Sequence, residues 1–451
     1  WISMLLSSGT SSVLLNGVPG KFFHCNQGVR QGDPISPLLF VLAADLLQST
    51  LNEAMQNHLI LPPIVSQACP DFPVIQFADD TILVLPADMR QIEQVKNLLL
   101  HYSAFTGLRV NYEKSFLVPL NVPITQLHSL LNVLGCQQGH FPFTYLGLPL
   151  GTTKPKIEDF NPMMQRIERR LSGCSTMLSY DGRLLLIKSV FASLPIFFMS
   201  SLALPVGVLQ QINKYLRNFL WRKFGMEDRG TALIAWSKVC RPKKQGGLGI
   251  LDISIHNKAL LMKNLLKFLN KEDIPWINLI WEKYYHTELP RRKVEGSFWW
   301  KSHIALLERF KQISKCSIGS GQSILCWSDT WLEQQLQSLL PHLHSFALHE
   351  DQSVLSFFQE ENWIDQFHLP LSVEAFEEFN QLPSLAPTLD PQVKDRWNII
   401  GASGRPSSIH IYNLLLENHE EHPIFSLIWD SSSRLKHKIF FWLVAHCRIN
   451  T

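Results

Sequence analysis

The 451 residues of the chain exceed the size at which one hydrophobic core stops growing, so roughly two to four domains are expected. With 46% hydrophobic and 18% charged residues, the composition is that of a globular protein and excludes a disordered chain. The net charge of +3 is unevenly distributed, because residues 154–311 hold 27 Lys and Arg against 13 Asp and Glu, whereas residues 331–390 hold ten acidic residues and no Lys or Arg.

The eight cysteines include no CxxC pair, which favours reduced thiols in the cytoplasm or nucleus over a disulfide framework. The first residues, "WISMLLSSGT", have neither the basic segment nor the cleavage site of a targeting signal. A long uncharged and mostly apolar run, residues 189–213, is interrupted by Pro195, Pro205 and Gly207. Two buried helices joined by a turn are therefore predicted there, and no membrane partner is expected.

The first predicted element follows a loop rich in glycine and proline, within "GVRQGDPISPLLFVLAADLLQ" (residues 28–48). Asp33 or Ser36 can cap a helix that continues through the apolar residues 38–47. A glycine-rich entry to a helix lets the backbone approach a ligand closely.

The next element is a β-hairpin around "IQFADDTILV" (residues 75–84), because β-branched and aromatic residues flank a short polar connection. Asp79 and Asp80 lie at its tip. Neighbours on a regular strand point to opposite faces, so these carboxylates can converge only if a turn bends the backbone. Their repulsion, roughly 1 kcal/mol in water at about 4 Å, would be offset by a cation such as Mg²⁺. A solvated acidic turn is the alternative that this stretch alone leaves open.

Three further elements complete the N-terminal pattern. Residues 90–105 have helical spacing, "GLRVNYEKS" (residues 107–115) is predicted to be a strand, and "YLGLPLG" (residues 145–151) a short strand or hairpin. The order helix, hairpin, helix, strand predicts an α+β fold.

The middle of the chain contains four basic clusters that alternate with Trp and Phe: Arg166, Arg169, Arg170; Arg217, Arg222, Lys223; Arg241, Lys243, Lys244; and Arg291, Arg292, Lys293. Such a pattern is typical of a nucleic-acid-binding surface, and a solvated helix face is the alternative. The acidic residues 331–390 are interpreted as a spacer or as a surface that faces the basic region.

Four motifs occur in order over about 125 residues: "GVRQGDPISPLLF", "FADD", "TGLRVNYEKS" and "FTYLGLPLG". Together they resemble the reverse transcriptase of plant non-LTR (LINE-type) retrotransposons. The resemblance continues through "GRLLLIKSVFASLPIFFMSS", "WSKVCRPKKQGGLGI" and "IGSGQSILCWSDTWL" to the last residues. It implies a partial polymerase palm, an antiparallel sheet with helices, over residues 1–151 and a mainly helical thumb over 152–235. A basic connection (236–330), an acidic spacer (331–390) and the start of a reverse-transcriptase zinc-binding-type region (391–451) follow.

The resemblance also implies residue roles. Asp79 and Asp80 match the pair of carboxylates that bind Mg²⁺ (or Mn²⁺) for nucleotidyl transfer, with Phe77 and Ala78 shaping the hairpin. Lys114 matches a proton donor to the leaving pyrophosphate. The loop residues Arg30, Gln31, Gly32 and Asp33 match a segment that contacts the template and the incoming nucleotide, and Tyr145, Leu146 and Gly147 match the primer grip. The implied partners are an RNA template, a DNA primer and deoxynucleoside triphosphates.

Two departures from the family pattern bear on activity. The family uses a third carboxylate upstream of the Arg30–Asp33 loop, yet residues 1–28 contain no Asp or Glu. The last residues, "HCRINT", stop before the expected Cys and His ligands, so zinc is not predicted for the residues present. We therefore expect an RNA-directed DNA polymerase by descent that is inactive as this truncated chain. A non-catalytic nucleic-acid-binding remnant and a non-functional pseudogene product are the alternatives.

Overall fold

The computed structural model describes residues 1–25, 28–67, 70–174, 178–221, 232–285, 290, 296–360, 362–402, 404–417 and 419–449. They divide into two compact units, residues 1–143 and 144–451. Helices and strands are both present, and helices dominate after residue 155, so the predicted mixture of helices and strands is confirmed. The larger antiparallel sheet expected of a palm is absent from the described ranges, where strands form separate two-stranded sheets. Each strand is only two to four residues long and offers few ladder bonds to a third strand.

The first unit combines three substantial helices with short strands. Its elements are α1 (Ile2–Ser7), β1 (Thr10–Ser11), β2 (Leu14–Leu15), β3 (Val18–Pro19), β4 (Phe23–His24), α2 (Ser36–Gln56), β5 (Val74–Phe77), β6 (Asp80–Leu83), α3 (Met89–Thr106), β7 (Phe116–Leu117), α4 (Ile124–Leu134) and β8 (Gln137–Gln138). The pairs β1–β4, β2–β3 and β5–β6 are antiparallel, and β7–β8 is parallel.

Helix α3 has a cap at each end. The side chain of Asp88 accepts a hydrogen bond from the amide of Gln91 (3.0 Å), and Gly107 closes the other end with a φ of 74°. Val95, Leu99 and Tyr102 form its buried stripe because they recur at helical spacing. This stripe packs in one core with α2.

Helix α2 is long and apolar enough, by length and composition alone, to cross a membrane. In this unit, however, Leu47, Leu51 and Ala54 lie buried in the core that it shares with α3. The hydroxyl of Tyr102 also donates to the carbonyl of Ala43 (3.0 Å). These contacts cover only part of α2, because Leu38, Val41 and Leu42 nearer its start are exposed.

The second unit is mainly helical. Its elements, beginning with a strand that crosses the unit boundary, are β9 (Phe143–Tyr145), β10 (Leu148–Leu150), α5 (Asn161–Cys174), α6 (Tyr180–Leu186), α7 (Ile196–Ser201), α8 (Val206–Trp221), α9 (Trp236–Val239), α10 (Ile253–Leu269), α11 (Pro275–Tyr284), α12 (Phe298–Ile304), α13 (Leu307–Lys311), β11 (Ser314–Ser317), α14 (Leu336–Leu339), α15 (Pro341–His344), α16 (Val354–Gln359), α17 (Val373–Phe379), α18 (Leu382–Leu385), β12 (Arg396–Ile399), α19 (Ser408–Leu415), α20 (Pro423–Asp430) and α21 (Leu435–Ala445). A π-helical turn (Ile187–Phe191) follows α6.

The uncharged run at 189–213 includes two helices, α7 and the start of α8, separated by residues 202–205 with Leu202 extended. Both helices contribute to one hydrophobic core with α5 and α6. Trp429 and Trp442 from the last two helices join the same core, and the indole of Trp442 donates to the carbonyl of Gly246 (2.8 Å).

A second core lies around α10, α12, α13 and the β11–β12 pair. The acidic residues 331–390 contribute Leu336, Leu343 and Phe357 to it, all fully buried. This segment is therefore folded into the unit. The boundaries of the five predicted domains stay predictions. Among the predicted basic residues, Arg222, Lys223, Arg291, Arg292 and Lys293 lie outside the described residues.

Candidate active site

The predicted hairpin is present, with a tighter tip than expected. Phe77 pairs with Asp80, so only Ala78 and Asp79 form the turn, and Asp80 is the first residue of β6. Two-residue loops are the commonest hairpin connections. Asp79 therefore lies in the loop and Asp80 lies on β6. On a regular strand the two side chains would point to opposite faces.

The turn depends on an unusual backbone conformation at Ala78. Its φ is 51°, in the left-handed region that residues with a Cβ rarely adopt. The φ of Asp79 is not positive, so the signs at the two loop residues are those of a type II′ turn, where glycine is usual at the first position. The hairpin thus keeps a strained alanine directly beside the two carboxylates.

The carboxylates of Asp79 and Asp80 are exposed. In the part of the chain that the structure describes, neither side chain forms an ion pair or a hydrogen bond. Their oxygens are therefore available to a ligand.

One face of the hairpin packs on the unit's core. Val74 and Leu83 pair across the strands and contact that core. Gln76 lies two residues further along the same face, and its side-chain amide donates to the carbonyl of Ala44 on α2 (3.4 Å). Gln76 was not among the residues predicted from the sequence. It could have been noticed as a polar residue at a position of β5 whose side chain faces the core.

The outer face of the hairpin carries Ile75, Phe77 and Asp80. Ile75 and Phe77 are 53% and 60% exposed. The second carboxylate thus lies on a face that presents apolar side chains to the solvent.

The loop before α2 is tight, as predicted. Gly32 has a φ of 89°, and the amide of Asp33 donates to the carbonyl of Arg30 (3.4 Å). The carboxylate of Asp33 accepts from the amide of Ile35 (3.1 Å), while Ser36 makes no capping bond of its own. The guanidinium of Arg30 donates to the hydroxyl of Ser8 (2.8 Å), and Gln31 is exposed.

The strand predicted over residues 107–115 is wrong. The carbonyl and side chain of Asn111 accept from the amide of Lys114 (both 3.2 Å), and the carbonyl also accepts from the hydroxyl of Ser115 (2.8 Å). Asparagine closes the backbone on itself in this way, so residues 112–114 form a turn and the strand begins only at Phe116. Lys114 is exposed on that turn, and within the described ranges no bond joins it to Asp79 or Asp80.

The short strand or hairpin predicted at residues 145–151 is a hairpin, formed by β9 and β10. Leu146 and Gly147 form its loop, with φ values of 49° and 84°. Two consecutive positive φ values are those of a type I′ turn. Tyr145 ends β9 and is half-buried, whereas Leu146 and Gly147 are exposed.

The N-terminal third of the chain matches a known protein family. Residues 1–152 match the family model described as "Reverse transcriptase (RNA-dependent DNA polymerase)". These residues are a reverse transcriptase domain. The match contains the aspartate hairpin, the Arg30–Asp33 loop, Lys114 and the β9–β10 hairpin.

Longer stretches of the chain are similar to curated proteins. The chain is 31% identical over 192 residues (41% of this chain, 31% of the relative) to the "Putative ribonuclease H protein" of Arabidopsis thaliana. It is 22% identical over 309 residues (65% and 46%) to the retrovirus-related Pol polyprotein from type-1 retrotransposable element R2 of Popillia japonica. The corresponding type-2 element protein of Drosophila melanogaster is 26% identical over 266 residues (55% and 23%). The chain spans less than half the length of each of these relatives.

The reverse transcriptase family implies Mg²⁺. The donor set at the hairpin fits this ion, because Mg²⁺ is usually bound by one or two carboxylates together with substrate phosphates. Within the described residues, no group of three His, Cys, Asp or Glu side chains is placed to hold a metal.

Proposed function

We propose that the chain is the polymerase part of a non-LTR retroelement reverse transcriptase, and that Asp79 and Asp80 bind the metal–nucleotide complex during RNA-directed DNA synthesis. The observation that carries the proposal is the two-residue hairpin turn, which presents two adjacent carboxylates with no partner in the described chain. The reverse transcriptase match over residues 1–152 supports the same reaction.

The protein's part in this reaction is mainly positioning. Bound Mg²⁺ would polarise the α-phosphate and favour attack by the primer 3′-hydroxyl. The β5–β6 hairpin holds the two carboxylates on a backbone fixed by its pairing and by the bond from Gln76 to Ala44. We propose that Arg30–Asp33 contact the template and the nucleotide, that Tyr145–Gly147 grip the primer, and that Lys114 donates a proton to pyrophosphate.

The first test measures metal–nucleotide binding. Mn²⁺ is titrated into the full chain with a deoxynucleoside triphosphate and followed by electron paramagnetic resonance. We expect Asp79→Asn and Asp80→Asn each to weaken binding about tenfold, because each removes one ligand charge. Glu93→Gln, an exposed charge change on α3, is the matched control and should bind like the parent.

The second test is primer extension on an RNA template with Mg²⁺ and four nucleotides. Any extension by the parent should fall by about 100-fold or more in Asp79→Asn, as when an essential catalytic group is removed. Extension that is equal in the parent and in Asp79→Asn would contradict the role given to Asp79.

Nucleic-acid binding without catalysis is a second candidate, favoured by a basic face in the second unit. Arg166, Arg169 and Arg170 are exposed on α5, which packs through Met163, Ile167 and Leu171 into the helical core. Helix α8 contacts α5 and exposes Lys214 and Arg217. In the described chain none of these five cations is in an ion pair, so all can meet phosphates.

This candidate predicts steeply salt-dependent binding of RNA or DNA. The slope of log K against log salt is negative. Replacing Arg166, Arg169 and Arg170 with Gln should make it less steep, by about 2 to 3 in magnitude. Affinity that stays constant between low and high salt would exclude phosphate-driven binding.

A further inference from the structure

A surface groove in the acidic segment is independent of the polymerase site. One cleft of about 680 Å³ is lined by Ile364, Leu369, Pro370, Leu371, Ser372, Val373 and Phe376. A second cleft of about 430 Å³ is lined by Asn362, Trp363, Ile364, Phe379 and Pro383. Because Ile364 lines both, the two clefts adjoin, and we call them together the 362–383 groove.

Apolar side chains of the 362–383 groove are open to solvent. Leu369, Val373 and Phe376 are 61%, 74% and 53% exposed. The ring of Phe376 stacks on that of Phe379 (centroids 6.5 Å apart), which connects the linings of the two clefts. Leu369, Val373 and Phe376 therefore offer apolar contacts to a molecule that lies in the groove.

The rim of the 362–383 groove is acidic. Asp365 adjoins the lining residue Ile364, while Glu374 and Glu377 lie on α17 beside Val373 and Phe376. All three carboxylates are exposed, and no ion pair neutralises them in the described ranges. Residues 331–390 contain no Lys or Arg, so histidine is the only basic residue type in the segment.

The supporting helix is firmly anchored. The hydroxyl of Ser372 caps α17 by accepting from the amide of Ala375 (3.2 Å), and the carboxylate of Glu378 accepts from the amide of Leu343 (2.8 Å) and contacts His342 (2.7 Å). Glu378 therefore holds α17 to α15, while Val373 and Phe376 stay exposed. A surface built on a fixed helix needs little reorganisation to bind.

We propose that the 362–383 groove binds a basic amphipathic helix of a partner protein. The apolar floor would take hydrophobic anchors spaced by three and four residues, and the rim carboxylates would pair with Lys or Arg on the flanks of that helix. Charge complementarity selects this occupant, because an acidic rim repels nucleic acid and anionic lipid surfaces.

Binding of labelled peptides to the full chain, measured by fluorescence anisotropy, tests the proposal. The probes are a Leu–Lys amphipathic helix, a sequence-scrambled version, and the same pattern with Glu in place of Lys. We expect the Leu–Lys helix to bind at least about tenfold more tightly than either of the others. Equal binding of the helix and its scrambled version would overturn the proposal.

Variants of the chain locate the site. Phe376→Ala should weaken the Leu–Lys helix about tenfold, as removal of an anchor contact does. Glu374→Gln with Glu377→Gln should weaken it about threefold to tenfold at low salt and reduce its salt dependence. Glu350→Gln, an exposed acid of the same segment outside the groove, should bind within about twofold of the parent.

Two results would overturn the assignment. Parent-like binding by Phe376→Ala would place the peptide elsewhere. Self-association of the chain that Phe376→Ala abolishes, seen by analytical ultracentrifugation, would show that the groove accepts a second copy instead.

Discussion

Phe77 and Asp80 pair across the tip of the β5–β6 hairpin, so an exposed aromatic ring and a free carboxylate occupy the same outer face. Only two residues connect them, and the turn requires a left-handed alanine. The position of the second carboxylate thus depends on the backbone of Ala78.

The conformation of Ala78 gives the first prediction. Ala78→Gly should stabilise the hairpin by up to about 1 kcal/mol, because glycine adopts positive φ without a Cβ clash. Ala78→Val should destabilise it by more than about 1 kcal/mol. Hydrogen exchange of the peptide covering residues 74–83 measures both effects. Ala87→Gly, at a position without positive φ, should give no gain, and equal protection in Ala78→Val and the parent would contradict the turn geometry.

The second prediction concerns Asn257, a buried side chain on α10. Its carbonyl accepts from the amide of Leu204 (3.0 Å), and its amide donates to the carbonyls of Met199 (2.8 Å) and Leu202 (2.9 Å). Asn257→Leu should reduce the free energy of unfolding by about 3 kcal/mol, since it leaves buried backbone groups unpaired. Urea denaturation measures the loss.

Asn278→Leu is the matched control for Asn257. The amide of Asn278 donates only to the exposed Asp273 (2.8 Å), so the change should cost less than about 1 kcal/mol. Similar losses in both variants would show that the bonds of Asn257 do not stabilise the unit.

The third prediction is a pH dependence from His303. Burial lowers the pKa of His303 from 6.5 to about 4, although its bond to the Trp299 carbonyl opposes the shift. Nδ1 donates to that carbonyl (2.9 Å) and Nε2 accepts from the amide of Asn264 (3.2 Å), so the folded protein holds the neutral ring.

The unfolded chain therefore takes up a proton near pH 6.5 and the folded chain only near pH 4. Stability should fall as the pH is lowered between these values, by up to about 3 kcal/mol. Unfolding curves at several pH values measure the slope. In His303→Gln the part of the pH dependence that comes from His303 should disappear. If stability falls with decreasing pH as steeply in this variant as in the parent, other groups cause the dependence.

The fourth prediction concerns Asp395. Its carboxylate accepts from the amides of Gly319 (2.8 Å), Gly321 (2.8 Å) and Ser323 (2.9 Å), and from the hydroxyl of Ser323 (2.8 Å). Asp395→Asn replaces one acceptor with a donor and should lower stability by about 2 kcal/mol or more. Thermal unfolding measures the change. Asp390→Asn, whose carboxylate bonds only the exposed Gln392, should change it little, and a parent-like Asp395→Asn would contradict the role of this carboxylate.

The local sequence predicted those helices and strands whose apolar residues recur with the spacing of a single type of secondary structure. The hairpin was predictable because β-branched residues flank the aspartates, and α3 because its buried residues recur at helical spacing. The strand over residues 107–115 failed because the alternation of its side chains gave no warning that Asn111 would bond the amide of Lys114. One polar side chain outweighed the pattern of nine residues.

The sequence by itself determined the motifs of the reverse transcriptase domain, the basic middle region and the acidic segment without Lys or Arg. Tertiary structure alone decided that the acidic segment shares a core with α10, and that Trp442 and His446 both donate to the carbonyl of Gly246 (2.8 and 2.9 Å). The physical reason is distance along the chain. Pairing and periodicity act over a few residues, whereas the bonds to Gly246 join positions about 200 residues apart, and only the packing of the whole unit brings such positions together.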